Sequence, residues 1–288
     1  MGVRFQAQRD FPPERGCVNP KKKDPSLTYL NKLGYNVVKL PRTGIEPLDV
    51  IGRDQSVQWL GPIAEIWKSS VPQPAPGPPR PASAVNGQRT DALELSVGMG
   101  ILKNALAAFG ASAPSLDTAY KSAHSVQFSY SNVTLVSVSP FAAGTYLAKG
   151  DLASDNPVVR NYFLSGKATA WLIVEVLRSN SITVTASDSH GIDVGVDLPA
   201  IQNVLDAKIG VKPSNAANST ITFTGPEAVT FGFAVQQIAR VGDAWELHGA
   251  APSADIAFGV ASMGGDETSE SEAPMIFETG PFECRLEV

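Results

Sequence analysis

The sequence predicts an α+β fold, a twisted and mostly antiparallel β-sheet core with short helices around it. Three observations carry that prediction. Short stretches of alternating apolar and polar residues recur along the chain, with the period of half-buried strands. Helical spacing is clear in a few places only. Charged residues make up 18% of the chain, against a typical ~25%, while Ser and Thr are abundant. The surface is therefore polar by hydroxyl more often than by charge. With 288 residues, 43% of them apolar, the chain can bury one large core or two small ones.

Residues 1–24 read as a loose arm, with Pro12, Pro13, Pro20 and the basic run Lys21-Lys22-Lys23. Asp24-Pro25 has the form of a helix start, a cap followed by proline at the first helical position, and Gly34 ends that helix. Tyr35 to Leu40 reads as a strand. Leu40-Pro41-Arg42-Thr43-Gly44 then fits LPxTG, a wall-sorting signal. Such a signal needs a following apolar span and a basic stop at the C-terminus, and here more than 240 residues follow it. Pro41 and Pro47 are instead expected to shape a turn. Residues 71–87 are proline-rich and read as an exposed loop with no sheet or helix, because proline removes backbone donors. PxxP recurs there, which also fits a polyproline partner site.

Leu93 to Phe109 reads as a helix, with Ile101, Leu102, Ala105, Leu106 and Phe109 at helical spacing and Gly98 and Gly100 weakening its first half. Val126 to Ser139 is one long strand or two. Pro140 to Lys149 and Pro157 to Leu164 are short helices or turns. Ala168 to Leu177 and Ser181 to Ala186 are expected to form a hairpin around Arg178-Ser179-Asn180. Leu198 to Ala207 reads as a short helix. Thr220 to Thr224 and Ala228 to Ala239 are expected to form a second hairpin around Gly225-Pro226-Glu227. Residues 264–273 read as a flexible linker. A last apolar patch follows: Met275, Ile276, Phe277, Phe282, Leu286 and Val288.

The strands hold one charge in their interiors, Glu175. Two readings fit. One is a sheet covered on both faces. The other is a set of strands able to enter lipid, where a lipid-facing charge costs ~2–4 kcal/mol at the bilayer midplane and Ser, Thr and Gly cost little. The candidate membrane-strand residues are Trp171, Ile173, Val184 and Phe128.

Several chemistries find no residues. His124, His190 and His248 stand far apart with no Cys nearby, so no metal set is expected. Asp188-Ser189-His190 holds triad residue types, but neighbours in a turn cannot reach triad geometry. Gly98-Met99-Gly100 starts like a dinucleotide fingerprint, yet Lys103 stands where the third Gly belongs. No Walker loop is present. No catalytic residue, no cofactor and no enzyme activity are expected. Lys21 to Lys23 is the one basic run, too little for strong nucleic-acid binding. Cys17 and Cys284 do not make a disulfide framework. The first twenty residues lack a signal peptide's apolar run, and no stretch approaches the ~20 apolar residues of a spanning helix. The expectation is a soluble protein made in the cytoplasm.

Acidity belongs to the tail. From Gly264 to Val288 there are seven acids against Arg285, a net −6; the whole chain carries −5, which leaves +1 for residues 1–263. By itself this fits a solvated terminus.

Taken in order, "GYNVVKLPRTGIEPLDVIGR", "KATAWLIVEVLRSNSITVTASDSHG" (167–191) and "STITFTGPEAVTFGFAVQQIAR" (219–240) resemble the bacterial gasdermins, over roughly Cys17 to Arg240. The resemblance implies a gasdermin N-terminal-domain-like fold and a protease-activated, pore-forming protein of antiphage defence. It implies that a C-terminal peptide inhibits the body, that a partner protease removes the peptide, and that the freed bodies, monomeric while intact, oligomerise with membrane lipids into a β-barrel pore that kills the cell. A closed barrel pairs all its backbone, as membrane spanning requires. Loss of residues 264–288 would leave the +1 body, which favours an anionic inner leaflet. The protein would thus be cytoplasmic when intact and at the inner membrane after cleavage.

Many bacterial gasdermins carry a lipidated cysteine, such as a palmitoylated one, near the N-terminus. Cys17 is the candidate, although sixteen residues precede it. Either the native chain starts later, or its arm is longer, or the cysteine is unmodified. Gly2 is no myristoylation site, since Gln6 stands where Ser or Thr is needed.

The expected layout is a flexible arm over 1–24, a pore-forming domain over 25–248, a cleavable linker over 249–273 and an autoinhibitory peptide over 274–288. Met275, Ile276, Phe277, Phe282 and Leu286 would form its latch. No Lys or Arg lies between Arg240 and Arg285, which excludes a trypsin-like cut there. Asp266 and Asp255 suit a caspase-like protease, the first choice; Leu247, Phe258 and Met263 suit one with apolar preference. The rival reading is a non-enzymatic β-rich binding or structural protein whose acidic tail is disordered.

Overall fold

The computed structural model describes residues 30, 33–54, 57–90, 92–111, 116–205 and 211–249. Gly34 closes the first described turn: its φ of 89° suits a residue without Cβ, and Tyr35 N–H donates back to Leu30 O. The strands β1 (Asn36–Arg42), β2 (Asp49–Arg53) and β3 (Val57–Pro62) follow, then one helical turn, α1 (Ile63–Ile66), and β4 (Trp67–Ser69). Next come β5 (Arg80–Pro81), β6 (Leu93–Glu94), α2 (Leu95–Ala108) and a 3-10 turn at Leu116–Tyr120. The strands β7 (Ser125–Ser131) and β8 (Thr134–Ser137) lead to α3 (Pro140–Ala148), β9 (Gly150–Leu152) and α4 (Pro157–Val159), which runs on into a π turn at Arg160–Leu164. The chain then forms β10 (Thr169–Ser187), α5 (Leu198–Val204), β11 (Lys212–Ala217), β12 (Thr220–Val241) and β13 (Ala244–Gly249). This is the α+β architecture expected, an antiparallel sheet with short helices.

The short helices start where capping chemistry puts them. Ser139, Asn156 and Asp197 each accept a backbone N–H of the first turn, and each is followed by a proline within two residues. On α2, Leu102, Ala105 and Leu106 are buried at the expected spacing. Gly98 is a contact rather than a weakness. A Cβ there would collide with Val126 Cγ2, so the missing side chain lets the helix lie close on β7.

The two central strands differ from the hairpins expected. Arg178-Ser179-Asn180 and Gly225-Pro226-Glu227 do not turn the chain back. Each lies inside one long strand, and β10 and β12 pair with each other from Ala170↔Ile238 to Thr185↔Thr220. The two turn-like triplets face one another across that ladder. Ser179 pairs with Val229 and Ser181 with Thr224, so one residue of β10 opposes four of β12. The signals of turn chemistry are real, but they make a wide bulge, because each strand finds its partner in the other.

Two smaller expectations also change. Pro41 lies within β1, where the register shifts between Val37 and Arg42, and only Pro47 sits in a turn. The proline-rich segment is largely exposed but does pair: Gly77 and Ala82 donate to Ser137 O and Val133 O, and Arg80-Pro81 lines up with Leu135 and Thr134. Proline removes its own donor only, and the intervening non-proline residues supply these bonds.

Three buried clusters divide the interior. The first lies between α2, the 3-10 turn and α5 on one side and β7, Ile182–Ala186 and Ile221–Phe223 on the other, and it runs on to Leu30, Leu177, Val229 and Phe231. The second joins Trp67, α3 and β2 to Ala170, Leu172 and Val174. The third lies on the other face of those strands, around Val38, Ile45, Ile51, Trp171, Ile173 and Phe233.

Candidate functional site

A seam crosses the sheet and divides it in two. Along it lie the turn at Ser83–Gly87, the break between β7 and β8 at Asn132-Val133, Ser179-Asn180 of β10 and Gly225–Ala228 of β12. Above the seam β6, β7, Ser181–Ser187, Thr220–Thr224 and β11 pair in sequence; below it are β5, β8, Thr169–Arg178, the rest of β12, β1, β2, β3 and β13.

The upper half has two unlike faces. One carries Val126, Phe128, Tyr130, Ile182, Val184, Ala186, Ile221 and Phe223, all buried under α2, the 3-10 turn and α5. Phe128 and Val184 are direct partners in the ladder. The other face carries rows of uncharged polar side chains: Ser131-Ser181-Thr224, Ser129-Thr183-Thr222 and Gln127-Thr185-Thr220. Thr183 and Thr222 share a hydroxyl–hydroxyl bond of 2.9 Å, and Thr185 and Thr220 one of 3.3 Å. No charged residue occurs in β7, Ser181–Ser187 or Thr220–Thr224. Period-two alternation puts all hydroxyls on one side because each residue of a strand points opposite to the last.

The lower half is covered on both faces. Ala170 to Val174 are all buried, the even positions in the second cluster and Trp171 and Ile173 in the third. Trp67, Phe163 and Trp245 close one end edge to face, with ring centroids 5.4–6.0 Å apart. Trp67 Nε1–H donates to Leu147 O at 3.0 Å, and the Tyr146 hydroxyl donates to Trp67 O at 3.2 Å.

Side chains satisfy the backbone that the seam leaves unpaired. The Ser179 hydroxyl, almost wholly buried, accepts from Ser181 N–H at 2.9 Å and gives its proton to Ser131 O or Ser181 O. Asn86 Oδ1 accepts from Val133 N–H at 3.2 Å. The Phe109 ring lies against Gly225, where a Cβ would come within 2.5 Å of it. Below the seam the segment after β1 grips both long strands: Ile45 O accepts from Arg178 Nη2 and from the Thr230 hydroxyl, each at 3.3 Å, and Glu46 pairs with Arg178.

Among the described residues no group of three His, Cys, Asp or Glu could hold a metal ion, and no helix is long and apolar enough to cross a membrane, which says nothing of strands. Asp188-Ser189-His190 is a turn: Asp188 Oδ1 accepts from Ile192 N–H and His190 N–H, and those two bonds hold its carboxyl below the usual range. Burial raises the Tyr120 phenol, whose oxygen has no hydrogen-bond partner among the described residues.

Of the membrane-strand candidates, Phe128 and Val184 meet in the upper half, and Trp171 and Ile173 share the lower half; the four do not form one face. Leu247 lies in β13 opposite Ile238, half-buried against the second cluster. Cys17, Asp255, Phe258, Met263, Asp266, Met275, Ile276, Phe277, Phe282 and Leu286 lie outside the described residues. The seam was missed in the sequence. Its one signal was the presence of two turn-like triplets in otherwise apolar, alternating stretches.

Residues 38–250 match the model of a family described as the Bacterial Gasdermin Family. The chain is 38% identical over 254 residues to a gasdermin of Vitiosangium sp., covering 86% of this chain and 93% of that one. It is 31% identical over 215 residues to a gasdermin of a Desulfuromonadales bacterium, covering 73% and 80%. A gasdermin of Lysobacter enzymogenes is 31% identical over 221 residues, covering 74% and 80%. In fold, the chain is similar to the structure of a bacterial gasdermin from Bradyrhizobium tropiciagri, with a TM-score of 0.57, 19% identity and 78% and 89% of the two chains covered.

Proposed function

The chain belongs to the bacterial gasdermin family, which is known for pore formation, and we propose that it is a protease-activated pore-former of antiphage defence. The observation that carries this reading is the upper half of the sheet. Its inner strands, β7, Ser181–Ser187 and Thr220–Thr224, carry no charge on either face, and helices rather than a second sheet lie over the apolar face. The charges of the half, Arg89, Glu94 and Lys212, stand on edge segments opposite Ser129, Ser125 and Thr224 of the hydroxyl face. A barrel in a bilayer needs that pattern: apolar side chains and no ionised group toward lipid, polar ones toward the lumen. In the resting chain, hydroxyls of this face bond to one another, Thr183 to Thr222 and Thr185 to Thr220.

Release of the C-terminal peptide is the trigger in this reading, and residues 250–273 are where the cut falls. Leu247 is a poor position for it, since a protease cleft takes an extended, unpaired segment and Leu247 is hydrogen-bonded into the sheet edge. Asp255 and Asp266 keep a caspase-like enzyme as first choice. The freed body, with its net charge of +1 over residues 1–263, then meets an anionic inner leaflet and assembles with other copies. Acylation of Cys17 would strengthen that contact without sufficing alone, since one chain gives marginal binding.

The test is a foreign protease site placed at 264–268. Cutting it and adding the product to dye-loaded liposomes of several compositions should release dye, while the uncut protein should not. Clean cutting without leakage on any composition would remove this reading and leave the β-rich binding protein as the alternative.

A further inference from the structure

We propose that the seam is a hinge that lets the upper half of the sheet open as one unit, and that Ser179 is the residue holding it shut. The inference rests on the pore-forming reading for its purpose, though not for its structural basis. Ladder hydrogen bonds run between neighbouring strands, and a paired sheet stays stiff because they recur at every level along those strands. At the seam they are missing. On one line the edge segment turns at Ser83–Gly87, β7 and β8 part at Asn132-Val133, and β12 loops out four residues against Asn180. Asn132 adopts a φ of 54°, a left-handed conformation that suits Asn and breaks a ladder. A single bulge is a local kink. Interruptions in adjacent strands at the same level leave few backbone bonds to break when one half moves against the other.

Apolar packing bridges the seam, with Tyr130 of β7 stacked on Phe231 of β12 at 3.9 Å and the first cluster running on to Leu177 and Val229, while the hydrogen bonds across it are few and specific. The Ser179 hydroxyl accepts the Ser181 N–H and, through Ser131 O, can tie β10 to the neighbouring strand. It sits at 1% exposure, so water cannot replace it. Asn86 does the same for Val133 at the exposed edge. Phe109, at the end of α2, presses on Gly225 and sets the helix over the opening. Below the seam, Ile45 and Glu46 fasten Arg178 and Thr230, which makes the lower half the fixed side.

The test is hydrogen exchange on the intact chain and dye release from the cut one, for wild type, Ser179→Ala, Ser179→Thr and Asn86→Ala. Leaving a buried donor unpaired costs ~1–3 kcal/mol, so Ser179→Ala should speed exchange at residues 181–187 and 220–224 at least about fivefold. Exchange at residues 169–173 should stay as in wild type, and Ser179→Thr, which keeps the hydroxyl, should stay near wild type throughout. Asn86→Ala, at an exposed position and safe to fold, should speed the upper half about two- to threefold. After the cut, dye release should follow the same order. Unchanged exchange in the upper half of Asn86→Ala and of a folded Ser179→Ala overturns the hinge. So does a rise of equal size in both halves, which would mean general loosening. Faster exchange in the upper half with no dye release from any cut variant, wild type included, supports the hinge and sinks the pore-forming reading instead.

Discussion

Ile173 and Val184 stand eleven residues apart on the same strand, and both are buried. Their surroundings are opposite in kind. Ile173 lies in a slab packed on both faces, with the tryptophan and phenylalanine rings of one cluster on one side and Phe233, Ile51 and Val38 on the other. Val184 has apolar neighbours on one side only, and its flanking residues Thr183 and Thr185 show hydroxyls to the other. Burial alone does not separate scaffold from moving part. What separates them is whether the covering element can leave without exposing a second face that water will not accept.

The largest effect should come from breaking the scaffold. Leu172 is fully buried in the lower half, and Leu172→Ala should cost ~2–5 kcal/mol of global stability. A urea titration should show a lower midpoint, with faster hydrogen exchange in both halves. Leu106 is fully buried on α2, and its truncation removes a similar volume from the covering helix. Leu106→Ala should speed exchange in the upper half and on α2 and leave residues 169–173 slow. Equal exchange patterns in the two variants would erase the distinction between the halves.

An intermediate effect should come from pH. The Tyr35 hydroxyl donates to Glu175 Oε2 at 3.1 Å, and Glu175 is the one acid in β10. Burial, then the Glu175 charge and the hydrogen bond to it, push the Tyr35 phenol up to about 12. The raised value means that the folded chain holds this proton more tightly than the unfolded one. Its contribution is present in full below about pH 10, where the unfolded phenol begins to ionise, and is lost as pH rises to about 12. Stability of wild type should therefore fall more steeply over that window than stability of Tyr35→Phe. Parallel slopes in urea titrations would mean that the pair does not anchor the lower half. Other buried tyrosines, Tyr120 among them, are raised too, so the difference between the two proteins is the quantity to read.

The residue patterns of the two halves differ in the sequence, but the division was not read from them, since Trp171 and Ile173 were grouped with Phe128 and Val184 as membrane-strand candidates. The alternation of Val126, Phe128 and Tyr130 with Gln127 and Ser129 indicated a one-faced strand, and the structure keeps it. The run from Ala170 to Val174 has no such alternation, and it is the two-faced slab. Arg178-Ser179-Asn180 and Gly225-Pro226-Glu227 have the composition of hairpin turns, and a turn and a bulge ask for the same residues: small, polar, or tolerant of unusual backbone angles. Which of the two forms is decided by the partner strand, a long-range fact that no local triplet contains. The role of Ile45 and Glu46 was hidden for the same reason, since the partners of Ile45, Arg178 and Thr230, lie 133 and 185 residues away.

The smallest effect on the resting protein is the one most able to sharpen the comparison. Thr183 and Thr222 are half-buried ladder partners whose hydroxyls bond to each other. The double variant Thr183→Val, Thr222→Val removes both partners together and leaves no orphaned donor or acceptor. A net hydrogen bond is worth ~0.5–1.5 kcal/mol, and swapping both partners for apolar groups of like shape can be close to neutral. Valine also keeps the β-branched form that strands favour. The urea midpoint should therefore hardly move. In the cut protein the outcome should differ, because a face meant for water in a barrel lumen would lose two hydroxyls per subunit at the middle of the upper ladder. Dye release should slow several-fold, while a polar-to-valine change on the lower half, Gln236→Val, should leave release unchanged. Slower release without loss of stability would tie the hydroxyl face to the assembled state. Unchanged release would mean that this face serves only the resting fold, and that the two halves differ in coverage but not in use.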